Sequence, residues 1–191
     1  MRRIVFDIET TGQMQKGSID FTNQELTIVC IYDSKTDSYS SYLKEELPKL
    51  WGILERADVL IGYNSDHFDI PILNKYYPGD LTQMRSIDLL KEVRAVLGRR
   101  LKMDNIAEAT LGKGKIASGL DAVKWWQEGN IDKLREYCID DVRVTKELYD
   151  YAKKHKHLKY KDFDGIRDIK INPAGWEKAA ETALLTHTLP F

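Results

Sequence analysis

Apolar residues recur along the chain at two spacings, and these divide it into strands and helices. Ile4, Val5, Phe6 and Ile8 form a short run that predicts a buried first strand over 3–8. "ELTIVCIY" (25–32) is β-rich and predicts a second strand, "SYSSYL" (38–43) alternates and predicts a third, and "DSKTDS" supplies the hairpin turn between them. Leu47, Leu50, Trp51 and Leu54 fall at helical spacing and predict a helix over 45–56. "ADVLIGYN" (57–64) is a nearly continuous apolar run, the pattern of a strand covered on both faces. "FDIPILNKYY" (68–77) predicts the start of a helix with Pro71 in its first turn. "SIDLLKEVRAVLG" (86–98) and "MDNIAEATLG" (103–112) predict short helices, each stopped by glycine. Asn130 predicts the N-cap of a long helix over 131–154, in which Leu134, Tyr137, Cys138, Val142, Leu148 and Tyr149 have mostly helical spacing. From about 158 onward the tail predicts one further strand and a helix.

Strands first, then a helix, a covered strand and more helices describe an α/β sheet with a meander at its start. In open sheets of this kind, sites gather beyond the carboxyl ends of parallel strands. The 191 residues and 42% hydrophobic content fit one domain with a full core. A domain over 1–157 with a C-terminal extension, 158–191, packed on it is the expected organisation. The net charge of −1 gives no overall basic field, so contact with a polyanion has to come from local patches or bound cations. Cys30 and Cys138 both lie in apolar segments and read as reduced core thiols rather than a disulfide or a zinc site. No apolar run approaches transmembrane length, and the chain opens on a strand rather than a signal peptide, so a soluble cytoplasmic protein is expected.

Acidic residues interrupt this pattern in three places. Asp7 and Glu9 follow the first apolar run, and residues two apart on a strand share a face. Two like charges there repel unless a cation lies between them, and hard cations such as Mg²⁺ or Mn²⁺ take carboxylate oxygens. The alternative is a pair that caps a turn or meets Arg2 or Arg3 at the surface. Asp69, in "YNSDHFD", begins a helix just after the covered strand; taken alone it reads as a helix cap. Asp66 reads as turn chemistry, and His67 as a solvated loop histidine. In "YCIDD", Tyr137 and Asp141 are four apart, one helical turn on one face. Asp140 competes for the same role, with a surface ion pair to Arg143 or Lys133 as the bland reading, and core packing is the bland reading of Tyr137.

Together, "FDIETTG", "YNSDHFD" and "YCIDD" resemble the three motifs of the DEDD superfamily of 3′–5′ exonucleases. The third has the tyrosine form, Tyr-x-x-x-Asp, because Glu136 and not histidine stands five before Asp141. The resemblance covers roughly residues 3–152, and "IGYNSDHFDIPIL" is especially similar to the proofreading domains of family B DNA polymerases. It implies a ribonuclease H-like mixed five-stranded sheet flanked by helices. It also implies two divalent cations, Mg²⁺ or Mn²⁺, held by Asp7, Glu9, Asp69 and Asp141, with Tyr137 orienting the attacking water. The implied reaction is hydrolysis of single-stranded DNA from its 3′ end to nucleoside 5′-monophosphates.

The same resemblance gives Thr10, Thr11 and Gly12 a place at the 3′ end. Asn64 and Phe68 would hold the displaced strand, with Phe68 either stacking on a base or packing in the core. Three basic clusters, "GRRLK" (98–102), "GKGK" (112–115) and "KKHKHLKYK" (153–161), read as solvated faces or as tracks for phosphates. Trp125 and Trp126 are adjacent and cannot share a helical face, so at least one belongs to the core. RNA in place of DNA, and a catalytically silent binding module, are the competing readings. The apolar end "LLTHTLPF" would dock on a protein partner or pack on its own domain.

Overall fold

The opening apolar run forms β1 (Arg3–Thr10), the middle strand of the sheet. On one side β2 (Leu26–Asp33) pairs with it antiparallel, and β3 (Ser38–Leu43) pairs antiparallel with β2. On the other side β4 (Val59–Gly62) runs parallel to β1, and β5 (Ser86–Asp88) runs parallel to β4. The result is a mixed five-stranded sheet in the order β3-β2-β1-β4-β5. The computed structural model describes residues 1–12, 24–114 and 117–178.

Strand alternation sorts the apolar side chains into two layers. Ile4, Phe6 and Ile8 enter a core shared with Leu47, Leu50 and Leu54 of α1 (Leu47–Leu54) and with Ile70 and Ile72 of the short α2 (Asp69–Leu73). Val5 enters the opposite core. That layer is built from α3 (Leu89–Leu97), α4 (Met103–Leu111), α5 (Gly119–Gln127) and the 25-residue α6 (Ile131–His155). Asn130 caps α6 as its position predicts, accepting from the Lys133 N–H. Cys30 and Cys138 are both buried free thiols. Trp125 and Trp126 are half-buried, and both pack against this second layer.

The structure departs from the sequence pattern, or narrows it, at four elements. Ser86–Asp88 form a strand rather than the first turn of a helix, since Leu60, Ile61 and Gly62 offer them a paired edge. The helix starts only where the Asp88 side chain accepts from the Leu90 and Lys91 N–H groups. The helix that begins in "FDIPILNKYY", α2, is only five residues long; Pro78, which disfavours helical geometry in the residue before it, closes this segment. α5 occupies a stretch for which apolar spacing predicted no element, and Ser118 and Asp121 start it with a reciprocal capping box. Lastly, the tail forms a hairpin of β6 (His157–Asp162) and β7 (Gly165–Lys170) where one strand and a helix were expected.

The hairpin packs through Leu158, Tyr160 and Ile169 and is tied to α4 by Asn105 and Thr110, which bond the backbone of Lys161 and Lys159. Beyond it, Trp176 stacks on Tyr149 with 5.2 Å between ring centroids, and Glu177 accepts from Arg3, Tyr149 and Lys153. "LLTHTLPF" and any helix after residue 178 lie outside the described residues. Among those described, no helix is long and apolar enough to cross a membrane.

Candidate active site

The carboxyl-terminal half of β1 carries the first two acids of the site. Asp7 and Glu9 share a face of the strand with Val5, as period-two alternation requires, and that face is covered by α6. The pairing with β2 shifts register between Glu9 and Thr10, where Thr27 is the extra residue on β2. On α6, Cys138 seats its sulfur 3.6 Å from the Asp7 carbonyl oxygen, which fixes the helix against the strand beside Tyr137 and Asp141. One carboxylate oxygen each from Asp7, Glu9 and Asp141 lies within 4.8 Å of the others. Two segments more than a hundred residues apart in sequence thus converge on one point.

Asp69 approaches from the opposite layer and lies outside that tight trio. It is not a helix cap: its Oδ1 accepts from the Ile8 N–H at 3.2 Å, so the carboxylate is clamped to β1 between the two acids of the first motif. Only 4% of Asp69 is exposed. Asp140 forms a 2.6 Å ion pair with Arg143, the bland fate proposed for an acid at this turn, and leaves the site to Asp141. Asp66 takes Ser86 and Lys91, and His67 is exposed.

These acids are held against their own electrostatics. Burial, then the charges of Asp69, Asp141 and Glu9, push the Asp7 carboxyl well above its ordinary range. Burial, Asp141 and Asp69 do the same to Glu9. Burial raises Asp69 to about 7, against the lowering effect of the Ile8 N–H. Arg2 and Arg3 do not neutralise the pair, since Arg2 is spent on Asp33 and Arg3 on Glu177, each at 2.6 Å. A donor set of clustered, half-buried carboxylate oxygens with mutual repulsion fits a hard divalent cation, which would convert the repulsion into coordination. Burial and then Asp141 drive the Tyr137 hydroxyl far above its usual range; it stays protonated and bonds Asp141. The Trp125 ring packs edge-on against Tyr137, with 6.0 Å between centroids.

The acids open into a cavity of about 790 Å³. It lies off the carboxyl ends of β1, β4 and β5, the place that open α/β sheets reserve for ligands. Thr10, Gly12, Asn64 and Phe68 line it; Thr11 does not, and instead gives its N–H to the Glu25 carbonyl. Thr10 donates its hydroxyl to Gln24 at 2.7 Å, and the Gln24 amide fills the space a side chain at Gly12 would need. Asn64 has a left-handed backbone, φ 67°, and its side-chain oxygen accepts from Arg100 at 2.6 Å. Phe68 is half-buried: it packs on the α1/α2 layer and also faces the cavity, so its two readings are not exclusive.

Of the three basic clusters, "GRRLK" reaches this cavity: Arg100, Leu101 and Lys102 form one of its walls, a reach to the acids that is a tertiary fact. Sequence reasoning missed Asp88. Nearly buried, it accepts from the N–H groups of Asn64, Asp66, Leu90 and Lys91, at 2.7 to 3.4 Å, and so fastens the turn that leads into Phe68 and Asp69. Its signal was an aspartate just ahead of an apolar helical pattern, the usual mark of an N-cap.

A family model described as the RNase_H superfamily matches residues 4–153 of this architecture. The chain belongs to that superfamily, and the ribonuclease H-like α/β fold implied by its motifs is the fold it has. Among curated proteins, DNA polymerase 1 of Aeropyrum pernix is 30% identical over 168 residues, which cover 73% of this chain and 16% of the polymerase. A DNA polymerase of Thermococcus litoralis is 24% identical over 190 residues, 78% of this chain and 11% of the polymerase. The chain therefore spans a sixth or less of these relatives, 16% and 11%. Among solved structures, the family B DNA polymerase from Pyrobaculum calidifontis superposes with a TM-score of 0.60 at 19% identity, over 79% of this chain and 24% of that one, a likeness of fold. Superfamily and relatives together fit a DEDD-like domain of ribonuclease H-like fold.

Proposed function

We propose that the protein is a metal-dependent 3′–5′ exonuclease that removes nucleoside 5′-monophosphates from single-stranded DNA. The observation that carries this reading is the convergence of Asp7, Glu9 and Asp141 within 4.8 Å at the floor of a cavity wide enough for a nucleotide. The DNA polymerase relatives favour DNA over RNA. Asp7, Glu9 and Asp141 would hold one divalent cation, with Asp7 and Asp69 serving a second; Mg²⁺ or Mn²⁺ suits an all-carboxylate set. When bound, such ions neutralise the phosphodiester and the charge on its leaving oxygen, and acidify the attacking water.

The chain's own groups do the rest. Tyr137, protonated and bonded to Asp141, orients the water by its hydroxyl and is no base at neutral pH. Thr10 and Gly12 hold the terminal nucleotide against the carboxyl end of β1, and Asn64 and Phe68 hold the displaced strand, with Phe68 stacking on a base. Water adds its oxygen to phosphorus, the bond to the 3′ oxygen of the preceding nucleotide breaks, and that oxygen takes a proton to become the new 3′ end. Incubation with 5′-labelled single-stranded DNA and RNA in Mg²⁺, Mn²⁺ or EDTA tests the reading. A ladder shortening from the 3′ end, faster on DNA and abolished by EDTA, is expected; internal cuts, or cleavage that survives EDTA, would contradict it.

A further inference from the structure

Phe163 is the most exposed large apolar side chain among the described residues, at 104%. It stands at the tip of the β6–β7 hairpin, where Asp162 and Gly165 form the last pair and only Phe163 and Asp164 make the turn. Such turns favour asparagine, aspartate or glycine, so an aromatic ring adds nothing to the turn itself. Nor does the hairpin lean on it, since Leu158, Tyr160 and Ile169 anchor the two strands in the core and Asn105 and Thr110 bond their backbone. The ring faces outward with no role inside the chain.

The tip adjoins the catalytic cavity through one basic segment. Arg99 lies 3.8 Å from Asp162 and 5.6 Å from the centre of the Tyr160 ring. Its sequence neighbours Arg100 and Lys102 line the cavity. Lys161 and Arg167 on the hairpin are both exposed. The two acids of the turn offset Arg99 and Arg167 as ion pairs, Asp164 with Arg167 at 2.7 Å, so the positive charge between cavity and tip rests on Arg100, Lys102 and Lys161, and the surface ends in an aromatic face. Cations spaced for phosphates and a flat ring for a base are the chemistry that holds an unpaired polynucleotide without regard to sequence.

We propose that the hairpin tip is a second contact for the substrate strand. Phe163 stacks on a base several nucleotides 5′ of the scissile bond, and Arg99, Arg100 and Lys102 follow the phosphates between. The inference rests on the proposed exonuclease reading for the identity of the strand, but strand binding can be measured without cleavage. Labelled single-stranded DNA of about 4 and about 16 nucleotides, the range of single-strand site sizes, is titrated with the full chain in Ca²⁺ and followed by fluorescence anisotropy. Phe163→Ala should weaken binding of the longer strand on the order of tenfold, leave the shorter unchanged, and leave the melting temperature unchanged; Phe163→Trp should restore affinity. Unchanged affinity for the longer strand overturns the proposal and leaves the tip to a protein partner. An equal loss on both lengths overturns it too, by making Phe163 structural. Length-dependent binding in Ca²⁺ with no hydrolysis in Mg²⁺ or Mn²⁺ by the unsubstituted protein defeats the exonuclease reading alone; hydrolysis in Mg²⁺ or Mn²⁺ without Phe163-dependent binding defeats this inference alone; no strand binding defeats both.

Discussion

Asp7 faces three other carboxylates from a protein interior, and without a cation this costs stability. In metal-free protein the folded chain retains protons on Asp7, Glu9 and Asp69 that the unfolded chain has already released above a pH of about 4. The native state then binds more protons than the unfolded state, so stability falls as pH rises. The fall runs from the ordinary carboxylate range up to the raised values, with Asp69 at about 7. The melting temperature in EDTA should therefore drop across this window, and Mn²⁺ should restore it at the upper end. Asp7→Asn should raise the metal-free melting temperature, abolish the Mn²⁺ response and abolish cleavage. A pH-independent melting temperature together with no response to Mn²⁺ would count against a metal site. Tyr137→Phe separates orientation from coordination: removing one positioned hydroxyl should lower kcat by about 10²-fold and leave the Mn²⁺ thermal shift intact. Unchanged turnover would remove the role. At this scale the sequence was readable where residues interact locally, Asp7 with Glu9 across one strand period and Tyr137 with Asp141 across one helical turn. It was incomplete at Asp69, whose carboxylate also bonds a strand 61 residues earlier.

Elements were legible in proportion to their length. β1, β2 and α6 repeat their period several times, and each forms close to its predicted bounds. β5 has three residues, too few to show alternation, and exists because β4 presents an open edge. α5 was readable from Ser118 and Asp121, a capping pair, rather than from apolar spacing. The consequence for function sits between β4 and α2. There the chain reverses through Asn64 at positive φ, with Ser65 packed so closely on Gly62 that no side chain fits there. Asp88 holds this turn through two of its backbone N–H groups. Asp88→Ala leaves those donors and the start of α3 without an acceptor. It should cost about 1–3 kcal/mol in urea unfolding and lower kcat by loosening the placement of Asp69. Asp88→Asn, which keeps one acceptor oxygen, should fall between. Lost stability with full activity would show that the turn supports the fold and not the site.

Across the whole molecule, the sheet order gives the acids their meeting point. The carboxyl ends of β1, β4 and β5 open on the same side, and α6 crosses the face of β1 that bears Asp7 and Glu9. Neither the cavity nor its basic wall is visible in a net charge of −1; both arise because the 98–102 segment folds against the site. The convergence was legible only through the family motifs, because spacing along a chain says nothing about which distant segments touch. An anomalous difference map from a crystal soaked in Mn²⁺ measures the central claim most directly. Peaks among the carboxylate oxygens of Asp7, Glu9 and Asp141, with Asp69 adjacent, are the predicted result. A map with manganese elsewhere, or with these carboxylates turned apart and no ion between them, would contradict it.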